Sequence, residues 1–195
     1  MYSHSHVIRC ITVPLIALSV LTGCSKSANS KSKACSETSK LQFIVDNQAL
    51  DFSHSREIEI RDPEIDGASA IETFTLDRCI EADLNGDSLT EQVAIIALSG
   101  AGSGTFYHVA ATLQKPDSLF PVPGEFIGDR VDIQDLQIQK TDKAPSSSAN
   151  IVVSLYTHGK ETSMADKPNV FITREFTIRG DHLTEVLASP SKEKH

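Results

Sequence analysis

Apolar and polar positions in this chain alternate with a period of two, in short runs separated by turn residues. Arg56–Arg61 places Ile58 and Ile60 on one face, and Ile71–Leu76 alternates again. Gln92–Leu98 is instead apolar almost throughout, the pattern of a central strand covered on both faces. Thr105–Leu113 carries Phe106, Tyr107, Val109 and Leu113. In Val131–Gln139, Val131 and Ile133 share one parity while Leu136 and Ile138 share the other, which predicts a bulge near Asp135. Ile151–Thr157, Val170–Ile178 and Leu183–Leu187 complete the series. Pro121-Val122-Pro123-Gly124 and Gly180-Asp181 read as turns between runs, and Lys140–Asn150 as a loop.

No window sustains an apolar period of 3.6, so helix is minor. Strands this closely spaced, without helical crossovers, pair antiparallel. The pattern therefore predicts an all-β or β-dominated α+β fold. Residues 41–188 form a single antiparallel sandwich or curved-sheet domain, followed by a disordered tail at 189–195. The lack of a fixed repeat argues against a complete propeller.

The N-terminal segment follows a different logic. An apolar run from Cys10 to Leu21, too short to span a bilayer, ends in Leu21-Thr22-Gly23-Cys24. This is the pattern of a lipobox, in which residues 1–23 are an export signal and Cys24 becomes the lipidated N-terminus. Acyl chains on Cys24 would make membrane lipid the first partner. The expected address is a bacterial envelope membrane. In a two-membrane cell, Ser25 after the cysteine favours the periplasmic face of the outer membrane. Residues 24–40 are rich in Ser and Lys and read as a flexible tether, reaching roughly 20–25 Å as a coil.

Removing the signal takes away Arg9 and no acid, moving the formal charge from −8 to −9. Such a chain offers no electrostatic footprint for nucleic acid. Of the four cysteines, Cys10 leaves with the signal and Cys24 takes the lipid. Cys35 and Cys79 remain, and in an oxidising compartment a lone pair bonds to itself.

Asp83-Leu84-Asn85-Gly86-Asp87-Ser88-Leu89-Thr90-Glu91 carries the clearest chemistry. Oxygen-bearing side chains at Asp83, Asn85, Asp87 and Glu91 can converge on a hard cation, and weakly held Ca2+ is the expected ion. A turn held by Asx hydrogen bonds, with no metal, fits the same residues. Ser88 and Ala94 stand where an EF-hand needs Gly and a bidentate Glu, so that motif is excluded. Gly100–Gly104 runs into a strand rather than a helix, which favours a hairpin over a phosphate loop. No serine-hydrolase elbow and no His-Glu-x-x-His occurs. The mature histidines are scattered without ligand spacing, so no catalytic residue is assigned. Gly128-Asp129-Arg130 reads as a turn followed by an arginine neutralising nearby acids, for which the loop at Asp83, Asp87 and Glu91 is a candidate.

The Asp83 loop is similar to the short calcium loops of integrin-type propeller blades, with Glu91 for the final Asp and Ser88 for a Gly. More broadly, Asp83–Asp87, Gly102-Ser103-Gly104-Thr105-Phe106, Gly128-Asp129-Arg130 and Thr157-His158-Gly159 resemble a family of uncharacterised bacterial secreted proteins and lipoproteins. The resemblance covers about half the chain and implies no established activity. Gly102, Ser103, Gly104, His108, Asp129, Arg130 and His158 are the candidate binding face. A non-catalytic binding or structural module is the first reading. A hydrolase acting on envelope polymers and an inhibitor of a cell-wall enzyme are the alternatives.

Overall fold

The computed structural model describes residues 32–36, 39–62, 70–100, 102–140 and 149–186. Cys24, the signal, most of the tether, residues 141–148 and the tail fall outside them. Strand β6 (Glu91–Ser99) organises the fold and is buried on both faces. It pairs antiparallel with β5 (Ala70–Ala82) on one side and β7 (Thr105–Lys115) on the other. β8 (Ser118–Asp129) follows β7, then a hairpin of β2 (Gln42–Val45) and β3 (Gln48–Asp51). The far edge of β5 is shared by β4 (Glu57–Asp62) on its first half and β1 (Lys33–Ala34) on its second. A second antiparallel sheet has the order β12 (His182–Glu185), β11 (Val170–Arg179), β10 (Ala149–Thr157), β9 (Asp132–Lys140). The β-dominated sandwich is as the pattern predicts, and the described residues contain no helix.

Two cores explain the apolar run of β6. Val93 and Ile95 face the second sheet, meeting Val109, Ile151, Val153, Leu155 and Phe176. Ala94, Ile96 and Leu98 face the hollow of the curled first sheet, meeting Phe43, Val45, Leu50, Phe74 and Leu76. Each fully buried aliphatic or aromatic side chain contributes about 1.5–3 kcal/mol. The β9 parity switch is also real. Ser154 pairs with Asp135 and Leu155 with Ile133, leaving Gln134 as the bulged residue.

One reading is corrected. Pro121-Val122-Pro123-Gly124 is not a turn but the middle of β8. Proline lacks an N–H and belongs at bulges, and the register slips here, with Ala111 opposite Val122 but Val109 opposite Glu125. At this slip Pro123 forms the parallel bridge to Ile44 of β2. A Cβ on Gly124 would lie 3.0 Å from the Ile44 carbonyl oxygen and 3.1 Å from that of Val109. The dipeptide bends β8 so that the sheet curls. A second difference lies in the tether: Lys33 and Ala34 pair with Glu81 and Ile80, and Cys35 is disulfide-bonded to Cys79 with Cα atoms 5.4 Å apart.

The two sheets are clamped by Arg174 on β11. Its guanidinium holds both carboxylate oxygens of Glu185 at 2.6 Å. Its Nη1 donates to the carbonyls of Phe126 and Ile127 on β8, at 3.0 and 2.6 Å. A register slip next to these residues, between Tyr107 and His108 of β7, interrupts the regular ladder there.

Replacing Arg174 with alanine should cost about 2–3 kcal/mol, the scale of hydrogen bonds to charged groups. Melting should fall by roughly 4–12 °C, with lysine restoring little because it lacks the fork. Reducing Cys35–Cys79 should destabilise by about 4 kcal/mol in the chain-entropy model. Calorimetry with and without reductant measures it, and an unshifted transition would show the crosslink to be thermodynamically idle.

Candidate metal centre

The connection between β5 and β6 is curled by its own side chains. Asp83 accepts from the Gly86 N–H at 2.6 Å and the Ser88 N–H at 3.2 Å. Asn85 accepts from the Asp87 N–H, and Asp87 from the Leu89 N–H. These bonds impose left-handed backbone at Gly86 (φ 81°) and Ser88 (φ 69°). The Asx-turn reading is therefore present in full.

The curl also gathers charge. Carboxylate oxygens of Asp83, Asp87 and Glu91 lie within 4.8 Å of one another, a set that could hold a metal ion. Asn85 is turned to the loop itself, donating to Asp87 at 2.9 Å. Glu91 is the unusual member, because it begins a buried strand and has no exposed surface. Its Oε2 accepts from the Leu84 N–H at 2.7 Å, while Oε1 is buried without a hydrogen-bond partner. Burial raises its pKa, opposed by backbone hydrogen bonds from Leu84 and Gln114 and reinforced by the charges of Asp87 and Asp83.

The residues of the candidate binding face are held by separate partners. Gly102 and Ser103 are exposed in the β6–β7 hairpin. At Gly104 a Cβ would lie 2.8 Å from the tip of the exposed Phe106 ring and 3.2 Å from Asp129 Oδ1, so the ring would have to shift. Asp129 accepts from the Thr105 N–H at 3.2 Å, and the Arg130 N–H donates to the Thr105 carbonyl at 2.7 Å. The Arg130 guanidinium folds back on Asp129, 3.0 Å away. This corrects the expected partnership with Asp83, Asp87 and Glu91, which sit at the opposite end of β6, roughly 25 Å along the strand. Local backbone decides it, because Arg130 has φ 49° and its side chain returns onto its neighbour.

His108 points into the curled hollow, buried, with Nε2 3.7 Å from Asp46 and its ring edge-on to Phe126. Burial lowers its pKa, against the pull of Asp46 and Glu125. His158 Nε2 lies 3.0 Å from the Asp166 carbonyl oxygen. In register, the β10–β11 loop, Arg130 and the Gly102–Gly104 turn share one end of the sandwich. Sequence reasoning did not single out Asp46, which reaches His108 from the β2–β3 turn. The signal was local: Asp46-Asn47 between two strands suits left-handed turn residues, here at φ 47° and 63°. No family model, no curated protein and no solved structure matches this chain.

Because its folded pKa is raised, Glu91 favours the metal-free fold most below its ordinary value of 4.5. That contribution is lost as pH rises through the raised value. Glu91→Gln should therefore melt higher than the parent in chelator at pH 8, and the gap should close as pH falls towards 4.5. Thermal melts of both proteins across pH test this, and a glutamine variant less stable at pH 8 would contradict the buried charge.

Proposed function

We propose that the protein is a non-catalytic binding module, stabilised by Ca2+ and held at a bacterial envelope membrane by lipid on Cys24. The carrying observation is the fully buried Glu91 carboxylate, which has an oxygen within 4.8 Å of those of Asp83 and Asp87. An all-oxygen, carboxylate-rich set on a pliable loop suits calcium. Magnesium demands stricter octahedral geometry and keeps its waters. The module reading is supported by how the polar groups at the other end are used. Asp129 and Arg130 tie strands together, and His158 spans its own loop.

Topology favours display. β1 joins β5 at Glu81, two residues before Asp83, so a chain from Cys24 enters at the metal-loop end. From Cys24 to Lys33 the chain spans at most about 30 Å. The end bearing Gly102–Gly104, Arg130 and the β10–β11 loop would then face away from the bilayer, free to meet a partner.

Calcium should bind with a dissociation constant of about 0.1–1 mM, as in extracellular modules. Ten times that concentration should stabilise by about 1.4 kcal/mol, or roughly 3–5 °C. Melting in chelator and in ~5 mM Ca2+ or Mg2+ reads it, with Glu91→Gln as the unresponsive control. An unchanged calcium curve leaves the loop as a turn alone. For the anchor, mass spectrometry of the membrane fraction should find acylated Cys24. A Cys24→Ala protein retained on carbonate-washed membranes would end that part of the proposal.

A further inference from the structure

Among the described residues, one histidine is buried. His108 of β7 faces the hollow with its side chain 5% exposed, at a mouth covered by the β2–β3 turn and β8. Its Nε2 has no hydrogen-bond partner, and the Asp46 carboxylate stands 3.7 Å away. Groups face the ring from three other elements. Ile96 lies opposite it on β6, and Phe126 of β8 meets it edge-on with centroids 5.6 Å apart. Asp46 approaches from the turn, and Glu125 of β8 adds a second negative charge.

A proton on this ring would be poorly compensated. An imidazolium in an apolar hollow loses its hydration. Both carboxylates attract it, but the Asp46 side chain is 57% exposed and Glu125 is exposed, so water screens their pull. Burial outweighs them and holds the imidazole below its ordinary value of 6.5. The cover over the ring is also weakly anchored. Phe43, Val45 and Leu50 bury the body of the hairpin, whereas Asp46, Asn47 and Gln48 are exposed. The hairpin meets β8 through a single ladder pair, Ile44 with Pro123. Phe126, the other cover, is half exposed.

We infer that His108 is an acid-released latch: the neutral ring seats the Asp46–Asn47 turn and Phe126 over the mouth of the hollow, and protonation lifts them to admit water. The folded value lies below that of the open, solvated ring. The latch is therefore fully seated above pH 6.5 and is lost as pH falls from there through the folded value. Release joins the exposed pair Phe106 and Phe126 to the apolar lining of the hollow, so the apolar surface at this end grows in acid. The latch is separate from the metal loop and does not depend on the module reading.

The test is NMR of the oxidised, folded protein between pH ~8 and ~5. The His108 imidazole should titrate below 6.5. It should titrate lower still in Asp46→Asn, which removes an attraction while suiting the left-handed turn. Amide protection factors at Val45 and Gln48, which flank the turn, should fall about three- to tenfold between pH ~7.5 and ~5.5. The amides of β10 and β11 should stay better protected throughout, because the opening is local. In His108→Gln the hairpin should change less than about twofold. A wild-type imidazole titrating at or above 6.5 would overturn the latch, as would an Asp46→Asn value that does not fall. So would unchanged hairpin protection, the same pH dependence in folded His108→Gln, or hairpin amides as protected as those of β10. If the glutamine variant does not fold, the wild-type and Asp46→Asn titrations still decide the matter.

Discussion

Strand β6 needs cover on both faces, because Val93 and Ile95 project one way and Ala94, Ile96 and Leu98 the other. A two-layer sandwich covers only the inner face of each sheet. The second sheet supplies one cover. The other comes from the same sheet bending round, so that Phe43, Val45 and Leu50 at its far end close over Phe74, Leu76 and Ile96. Curvature is therefore a packing requirement here, and each departure from regular strand geometry serves it. The β5 bulge at Asp77 moves Ile80 and Ala82 onto the sandwich core after Phe74 and Leu76 have faced the hollow. The slip at Pro123-Gly124 does the same for β8 and opens a place for β2.

Much of this was legible because burial has a period. Two-sided burial writes a continuous apolar run, which is what Gln92–Leu98 shows, and a bulge writes a parity switch, as at Gln134. The Pro121–Gly124 segment was not legible, because proline and glycine mark conformation rather than chain reversal. Their role depends on β2, some eighty residues earlier in sequence. β1 was hidden for a related reason: a two-residue strand fixed by two ladder pairs and a disulfide has no amphipathic pattern of its own. The candidate site divides the same way. Spacing gathers the acids of the Asp83 loop, but only the fold reveals that Glu91 is fully buried while Asp87 is exposed.

That difference decides which electrostatic effect matters. Two unit charges 4.8 Å apart repel by about 3 kcal/mol at an effective dielectric of 20. Between Asp83 and Asp87 water screens most of this. Glu91 has no exposed surface, so its repulsion is less screened and its own desolvation adds to it. Backbone hydrogen bonds from Leu84 and Gln114 favour the charged form, yet burial and the neighbouring carboxylates leave its pKa raised. Either a proton or a cation relieves the balance, and at neutral pH a dication has the greater effect because it draws on all three carboxylates.

Ser88 bears on the same balance from the backbone side. A non-glycine residue at φ 69° carries about 1–2 kcal/mol of steric cost, and such strain persists only where surroundings over-determine it. Here the Asp83 carboxylate holds the Ser88 N–H on one side, and the Asp87–Leu89 turn fixes the next residue. The bonds that force Ser88 into this conformation are those that hold Asp83 and Asp87 within reach of Glu91. A loop relaxed at Ser88 would separate the acids and ease their repulsion, so the strained curl persists against two opposing terms. Glu91 itself supplies the remaining constraint, since its bond to the Leu84 N–H ties the start of β6 to the loop entrance. The acid that makes the cluster electrostatically costly is also the one that keeps it assembled.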